Sequence, residues 1–298
     1  MNMNKINNNL AIKGIFYAIS SCFIFSVMNA FVKATAVSIP SNEIVFFRSI
    51  IGTIMIFFFM KKDKVSFSKA GIPMLALRGG CGALYMLFYF YTISNMPLID
   101  AVVLINISPI FSILLSRFFL KEKVPFKIYL IMIIVIIGAM FTIKPFGYST
   151  FSGVAILGVL AAFFSSAAGI CIRYLSQRYH TYEIIFYFMI TATLVSIPLM
   201  WADFVLPNSK EWFYLICIGV ISLLAQVFLT KAFTHENVVV VEVVRYIGIA
   251  FNGFWGFVFW MEIPDILSII GTILIIGGCI TIARIRERSK RKEAIKCL

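Results

Sequence analysis

Of the 298 residues, 61% are hydrophobic and only 13% charged, with a mean hydropathy of +0.98. A water-soluble domain of this length holds about 45–50% apolar and about 25% charged residues, and the apolar surplus cannot hide in one core that must also present a wet surface. The net charge of +13 would suit a nucleic-acid partner, but the basic residues lie between apolar runs and in one tail, a distribution that suits a membrane and excludes nucleic-acid binding.

In chain order, the head MNMNKINNNLAIK places a positive flank before an apolar stretch, as a signal peptide does. The stretch Ile15 to Val32 is too long for the apolar region of a signal peptide, and no A-x-A-like cleavage site follows, so residues 1–11 read as a disordered cytoplasmic tail and the stretch as a retained first span. Ten apolar segments then separate at polar breaks: 12–33, 42–60, 73–94, 98–120, 127–144, 153–175, 183–202, 212–233, 238–260 and 265–284. Runs of about 18 or more apolar residues favour spanning helices over strands. Pro109 and Pro198 fall inside spans, where a kink is expected. Residues 286–298 form a basic cytoplasmic tail.

Orientation follows from lysine and arginine in alternate loops. With the N-terminus cytoplasmic, 20 of the 26 basic residues fall inside and only Lys33, Lys144 and Lys210 outside. Arg48, Arg78 and Arg245 lie within spans. Both termini are therefore expected in the cytoplasm.

An internal repeat runs at a constant offset of 140 residues: Lys33 aligns with Arg173, Glu43 with Glu183, Phe119 with Phe259, Glu122 with Glu262 and Gly138 with Gly278. Two units, 12–144 and 153–285, hold five spans each. An odd count forces the second copy to enter from the opposite side. The expected fold is an all-α membrane protein of ten transmembrane helices built as two inverted-topology repeats, with Glu122 cytoplasmic and Glu262 external.

A charge in hydrocarbon costs at least about 2.5–3.5 kcal/mol, so each intramembrane charge needs a reason. Arg48 either contacts substrate or, the preferred reading, snorkels outward or pairs with Glu43. Arg78, in LRGGCG, either snorkels to the inner face or serves transport, while Gly79, Gly80 and Gly82 suit close helix packing. Glu242 and Arg245 share one helix face and form either a structural ion pair or a proton-binding and anion-holding element, with Tyr246 beside them. Asn29, Asn106, Gln226 and Asn252 either glue helices or line a pathway. Tyr85, Tyr89, Tyr91 and Trp255 could bound an aromatic cavity.

Catalytic groups are missing. No span holds histidine, and no phosphate-binding G-x-x-x-x-G-K-[ST] loop is present, so neither an enzyme nor an ATP-driven pump is expected. Six cysteines without a C-x-x-C pair suggest buried hydrophobes, with no disulfide framework, metal site or cofactor.

The duplicated unit, Lys33, FFRSIIG, LRGG, FFLKEKV and FWMEIPD together resemble the drug/metabolite transporter superfamily, and specifically its EamA-type ten-helix members, over residues 11–285. The stretch RYIGIAFNGFWGFVFWMEIPD is also similar to the ninth-helix region of S-adenosylmethionine uptake carriers in that superfamily. The resemblance implies a proton-coupled or exchanging secondary transporter of a small organic metabolite in the inner membrane, working by alternating access. Its cavity would be lined by helices one, three, four, six, eight and nine, which makes Asn29, Arg78, Asn106, Gln226, Glu242, Arg245 and Tyr246 the candidate substrate-binding residues. At the 140 offset, Arg48 and Arg78 meet Phe188 and Ile218, so a chemically asymmetric cavity is expected. The rival readings are a non-transporting membrane scaffold and a flippase of a lipid-linked substrate.

Overall fold

In hydrocarbon every backbone N–H and C=O must be satisfied within the protein, and a helix does this along its own length. A computed structural model describes residues 3–68, 71–120, 126–143, 152–201, 203–236, 241 and 244–296. The described segments form helices α1 (Met3–Thr35), α2 (Ser41–Lys62), α3 (Ile72–Asn95), α4 (Leu98–Ile105), α5 (Ser108–Leu120), α6 (Phe126–Ile143), α7 (Ser152–Leu175), α8 (Thr181–Trp201), α9 (Ser209–His235), α10 (Ile247–Trp260) and α11 (Ile266–Lys296). No strand occurs among the described residues. Seven stretches are long and apolar enough to cross a membrane, and Phe126–Gly138, Ile247–Trp260 and Ile266–Ile282 are shorter apolar helices.

Polarity runs opposite to that of a soluble protein. Phe16, Phe58, Leu194, Phe213 and Phe254 face outward, whereas Ser21, Asn29, Arg48, Arg78 and Gln226 are buried. Such a surface is stable only against lipid.

Two details differ from the sequence reading. Helix α1 already begins at Met3, so the Asn-rich head continues the helix, as extension from a formed span fixes few extra dihedrals per bond gained. The expected fourth span is divided: α4 ends at Ile105 and is capped by Asn106, whose side-chain amide donates to Val102 O at 2.7 Å, and α5 resumes at Ser108, with Pro109 in its first turn, where a missing N–H costs little. Pro198 lies inside α8, as the sequence places it.

The two halves pack as partners. Helix α1 lies on α9 and α3 on α7, and the same exchange relates α2 on α9 to α8 on α3. Helix α2 crosses its own counterpart α8, and α6 crosses α11. Individual contacts repeat at the 140 offset. A methyl group on Gly79 would press on Thr191, and one on Gly219 on Ile51; one on Gly138 would meet Ile275, and one on Gly278 Val135. Glycine at these positions lets the helices approach closely.

The counterparts α2 and α8 run antiparallel. At one end Asn42 donates to Leu199 O, and Val205 N donates to Glu43 Oε2 at 3.0 Å. At the other end Ser68 donates through its backbone N (2.8 Å) and its hydroxyl (3.0 Å) to Glu183. Each glutamate at the start of the second helix of one repeat thus accepts a backbone N–H from the loop following the second helix of the other.

Candidate functional site

Where α1, α2, α3, α7, α8 and α9 converge, they leave a narrow cavity of about 30 Å³. The small side chains of α7 make the space: Ser165, Ala168 and Gly169 line it. Phe25, Tyr85, Phe90 and Phe188 supply ring walls, and Arg48, Arg78, Gln226 and Arg245 supply polar ones.

Arg48 and Arg78 are 2% and 3% exposed. The Arg78 guanidinium stacks on the Phe188 ring at 4.4 Å from its centroid. Arg48 faces the same ring at 5.8 Å and Phe90 at 5.7 Å, and its Nη1 touches the Met86 sulfur. Arg48 Nε and Arg78 Nε and Nη1 have no hydrogen-bond partner among the described residues. The preferred sequence reading of Arg48 is therefore corrected: it neither snorkels nor pairs with Glu43. Five residues along an α-helix turn a side chain about 140° away from its starting face, which sends Glu43 to Val205 and Arg48 inward. Ring contacts return about 0.5–2 kcal/mol each, less than burying an unpaired guanidinium costs in hydrocarbon.

The remaining expected residues separate. Gln226 lines the cavity and donates weakly to Thr230 Oγ1 at 3.4 Å. Arg245 lines it too, half-buried, with its backbone carbonyl facing the Cys22 thiol at 3.9 Å. Glu242 lies outside the described residues. Asn29 donates to Tyr89 Oη and to Asn252 Oδ1, both at 3.0 Å, and so ties α1 to α3 and α10. Asn106 spends its amide on the α4 break. Tyr246, 6% exposed, borders a separate and more open pocket with Ile99, Gly253 and Glu262. Tyr85 stacks on Tyr89 with centroids 5.6 Å apart. Tyr91 faces outward, and Trp255 donates to Ser26 Oγ at 3.1 Å beside a lateral groove that shares no lining residue with the central cavity.

Reasoning from sequence left Arg48, Phe188 and the α7 small residues out of the candidate set. The available signal was the 140 offset, which pairs Arg48 with Phe188, the ring it faces.

At one end of the bundle Lys33 forms an ion pair with Glu262 and donates to Met96 O at 3.1 Å, while Glu262 Oε2 accepts from Leu98 N at 2.8 Å. The equivalent position at the other end is Arg173, whose Nη1 donates to Phe233 O at 2.9 Å, to Thr234 O at 3.2 Å and to Glu236 O at 3.4 Å. Met96 and Glu236 are themselves 140 residues apart. Glu122, the counterpart of Glu262, lies outside the described residues.

Comparison with known proteins agrees with this duplicated architecture. The EamA-like transporter family matches twice, over residues 12–144 and 152–284. The pseudopaline exporter CntI of Pseudomonas aeruginosa is 50% identical over 275 residues, covering 92% of this chain and 97% of that protein. The riboflavin transporter of Brucella anthropi is 25% identical, with 89% and 96% covered, and human solute carrier family 35 member G1 is also 25% identical, with 89% and 77% covered. A solved crystal structure at 16% identity superposes with a TM-score of 0.65 over 95% of this chain and 98% of its own, a likeness of fold alone. Two matches that together span nearly the whole chain bear out the resemblance read from the repeats. The chain belongs to the EamA-like transporter family and is a multi-pass membrane transporter of a small metabolite, not an enzyme.

Proposed function

We propose that the chain is a secondary transporter that exports a small polar organic metabolite across the bacterial inner membrane, by alternating access between two inverted five-helix repeats. Pseudopaline, named for the 50% identical relative, is the first substrate to test. The observation that carries the reading is the antiparallel crossing of α2 and α8 beside a cavity walled by both repeats. Inverted repeats with a site between them are a recurring architecture of secondary transporters.

Ten spans of alternating direction place the contacting helix ends on two sides, and the lysine and arginine asymmetry of the loops assigns both termini to the cytoplasm. Lys33, Glu43, Met96, Val205 and Glu262 meet at ends assigned to the outside, and Ser68, Arg173, Glu183 and Glu236 at ends assigned to the inside. The units 12–144 and 153–285 are then the moving bodies, with 1–11 and 286–298 as cytoplasmic tails. Protons are the coupling ion in this reading. A cavity lined by three arginines argues against a scaffold without a solute path.

The test is counterflow in proteoliposomes: vesicles loaded with unlabelled pseudopaline should accumulate labelled pseudopaline from outside. Arg245→Ala is expected to lower the rate at least tenfold at equal protein incorporation. Absence of counterflow by the wild type removes pseudopaline as the substrate, and wild-type rates from Arg245→Ala remove that arginine from the site.

A further inference from the structure

We infer that Arg48 and Arg78 form a carboxylate clamp, so that the transported metabolite is an organic anion with two carboxylate groups on an apolar or ring-bearing body. This deepens the transporter reading and rests on the central cavity being its substrate site.

Both side chains are at least nine-tenths buried, line one cavity and leave N–H groups without a partner among the described residues. Carboxylates among the described residues are engaged elsewhere: the buried Glu43 with Val205, the buried Glu183 with Ser68 and the half-buried Glu262 with Lys33. No described residue that lines the cavity is acidic. Two charges without a counter-ion among the described residues call for a counter-ion that arrives with the ligand. A guanidinium presents paired N–H groups in one plane, which match the two oxygens of a carboxylate. Both guanidiniums lie against the Phe188 ring, 5.8 and 4.4 Å from its centroid, so two carboxylates held there would straddle an apolar wall. Phe90 and Tyr85 continue that wall for the rest of the molecule. Widening of the narrow cavity around such a molecule belongs to the alternating access of the proposed transport cycle.

The test uses the purified full chain in detergent and follows its melting temperature, which a ligand bound only to the folded protein raises with the logarithm of its concentration above its Kd. The probes are phenylsuccinate, its uncharged diamide, phenyl phosphate, and potassium chloride at matched ionic strength. Phenylsuccinate is expected to raise the melting temperature with increasing concentration, while the diamide and the salt do not. Arg48→Gln and Arg78→Gln should each weaken phenylsuccinate at least tenfold, yet melt without ligand at or above the wild-type temperature, because each removes an unpartnered buried charge. A purely structural arginine would move that last readout the other way. Should either glutamine variant fail to fold, Arg48→Lys and Arg78→Lys replace them, with at least a threefold loss expected from the missing fork. Equal responses to the diacid and the diamide, undiminished affinity in both variants, or tighter binding of phenyl phosphate would overturn the clamp. Dicarboxylate binding without pseudopaline counterflow would sink that substrate and leave the clamp standing; counterflow without dicarboxylate binding would sink the clamp alone.

Discussion

Gly82→Ala is expected to cut transport at least tenfold with little loss of stability, while Gly80→Ala, two residues away on the same helix, transports normally. A methyl group at position 82 would stand 2.5 and 2.6 Å from ring carbons of Phe188 and against Nη1 of Arg78. Both must move, and they are the ring and the guanidinium that stack in the cavity wall. Overpacking of this kind costs about 1–3 kcal/mol, but exchanging glycine for alanine inside a helix returns roughly 0.5–1 kcal/mol. The two nearly cancel in stability and do not cancel in position. At position 80 nothing lies within 4 Å of the added carbon, so only the gain remains. Transport rates of both variants against their melting temperatures check this: parallel loss of rate and stability in Gly82→Ala would remove the claim that the cavity wall is what suffers.

The second large effect concerns the Lys33–Glu262 pair. Lys33→Met leaves the Glu262 carboxylate with one neutral donor, Leu98 N. Stranding one partner of a buried pair costs about 3–5 kcal/mol, and side-chain exposures of 12% and 17% place this pair at about 3 kcal/mol. The double variant Lys33→Met with Glu262→Gln removes both charges and should recover most of that loss, since the glutamine can still accept from Leu98. Unfolding midpoints for the two single variants and the double complete the cycle. Additive losses would mean that the two residues act independently.

Much of the fold was legible because duplication prints itself twice. Lys33 and Arg173 were matched by spacing alone, and each proves to bond the carbonyl of the residue ending the third helix of a repeat, Met96 or Glu236. Gly138 and Gly278 meet the equivalent neighbours Ile275 and Val135. The site was harder to read. Hydropathy reports how deep a residue lies but not the direction in which it points around its helix. Asn29 and Arg78 are both deep in their spans, yet one is consumed by Tyr89 and Asn252 while the other opens on the cavity. For the same reason Tyr246 and Arg245, adjacent in the chain, border different pockets. The helix break at Asn106 was hidden as well, since one asparagine barely interrupts an apolar run.

The antiparallel crossing of α2 and α8 brings Arg48 close to its own counterpart, Phe188. In a dimer of two identical five-helix chains, whatever residue stood at this position would face itself. Two arginines about 6 Å apart would repel by about 3 kcal/mol at an effective dielectric near 20, and two phenylalanines would leave the position without charge. Only two units free to diverge in sequence can set a cation against a ring there. Divergence of the two copies is thus a condition for this binding wall, which no assembly of identical halves can make.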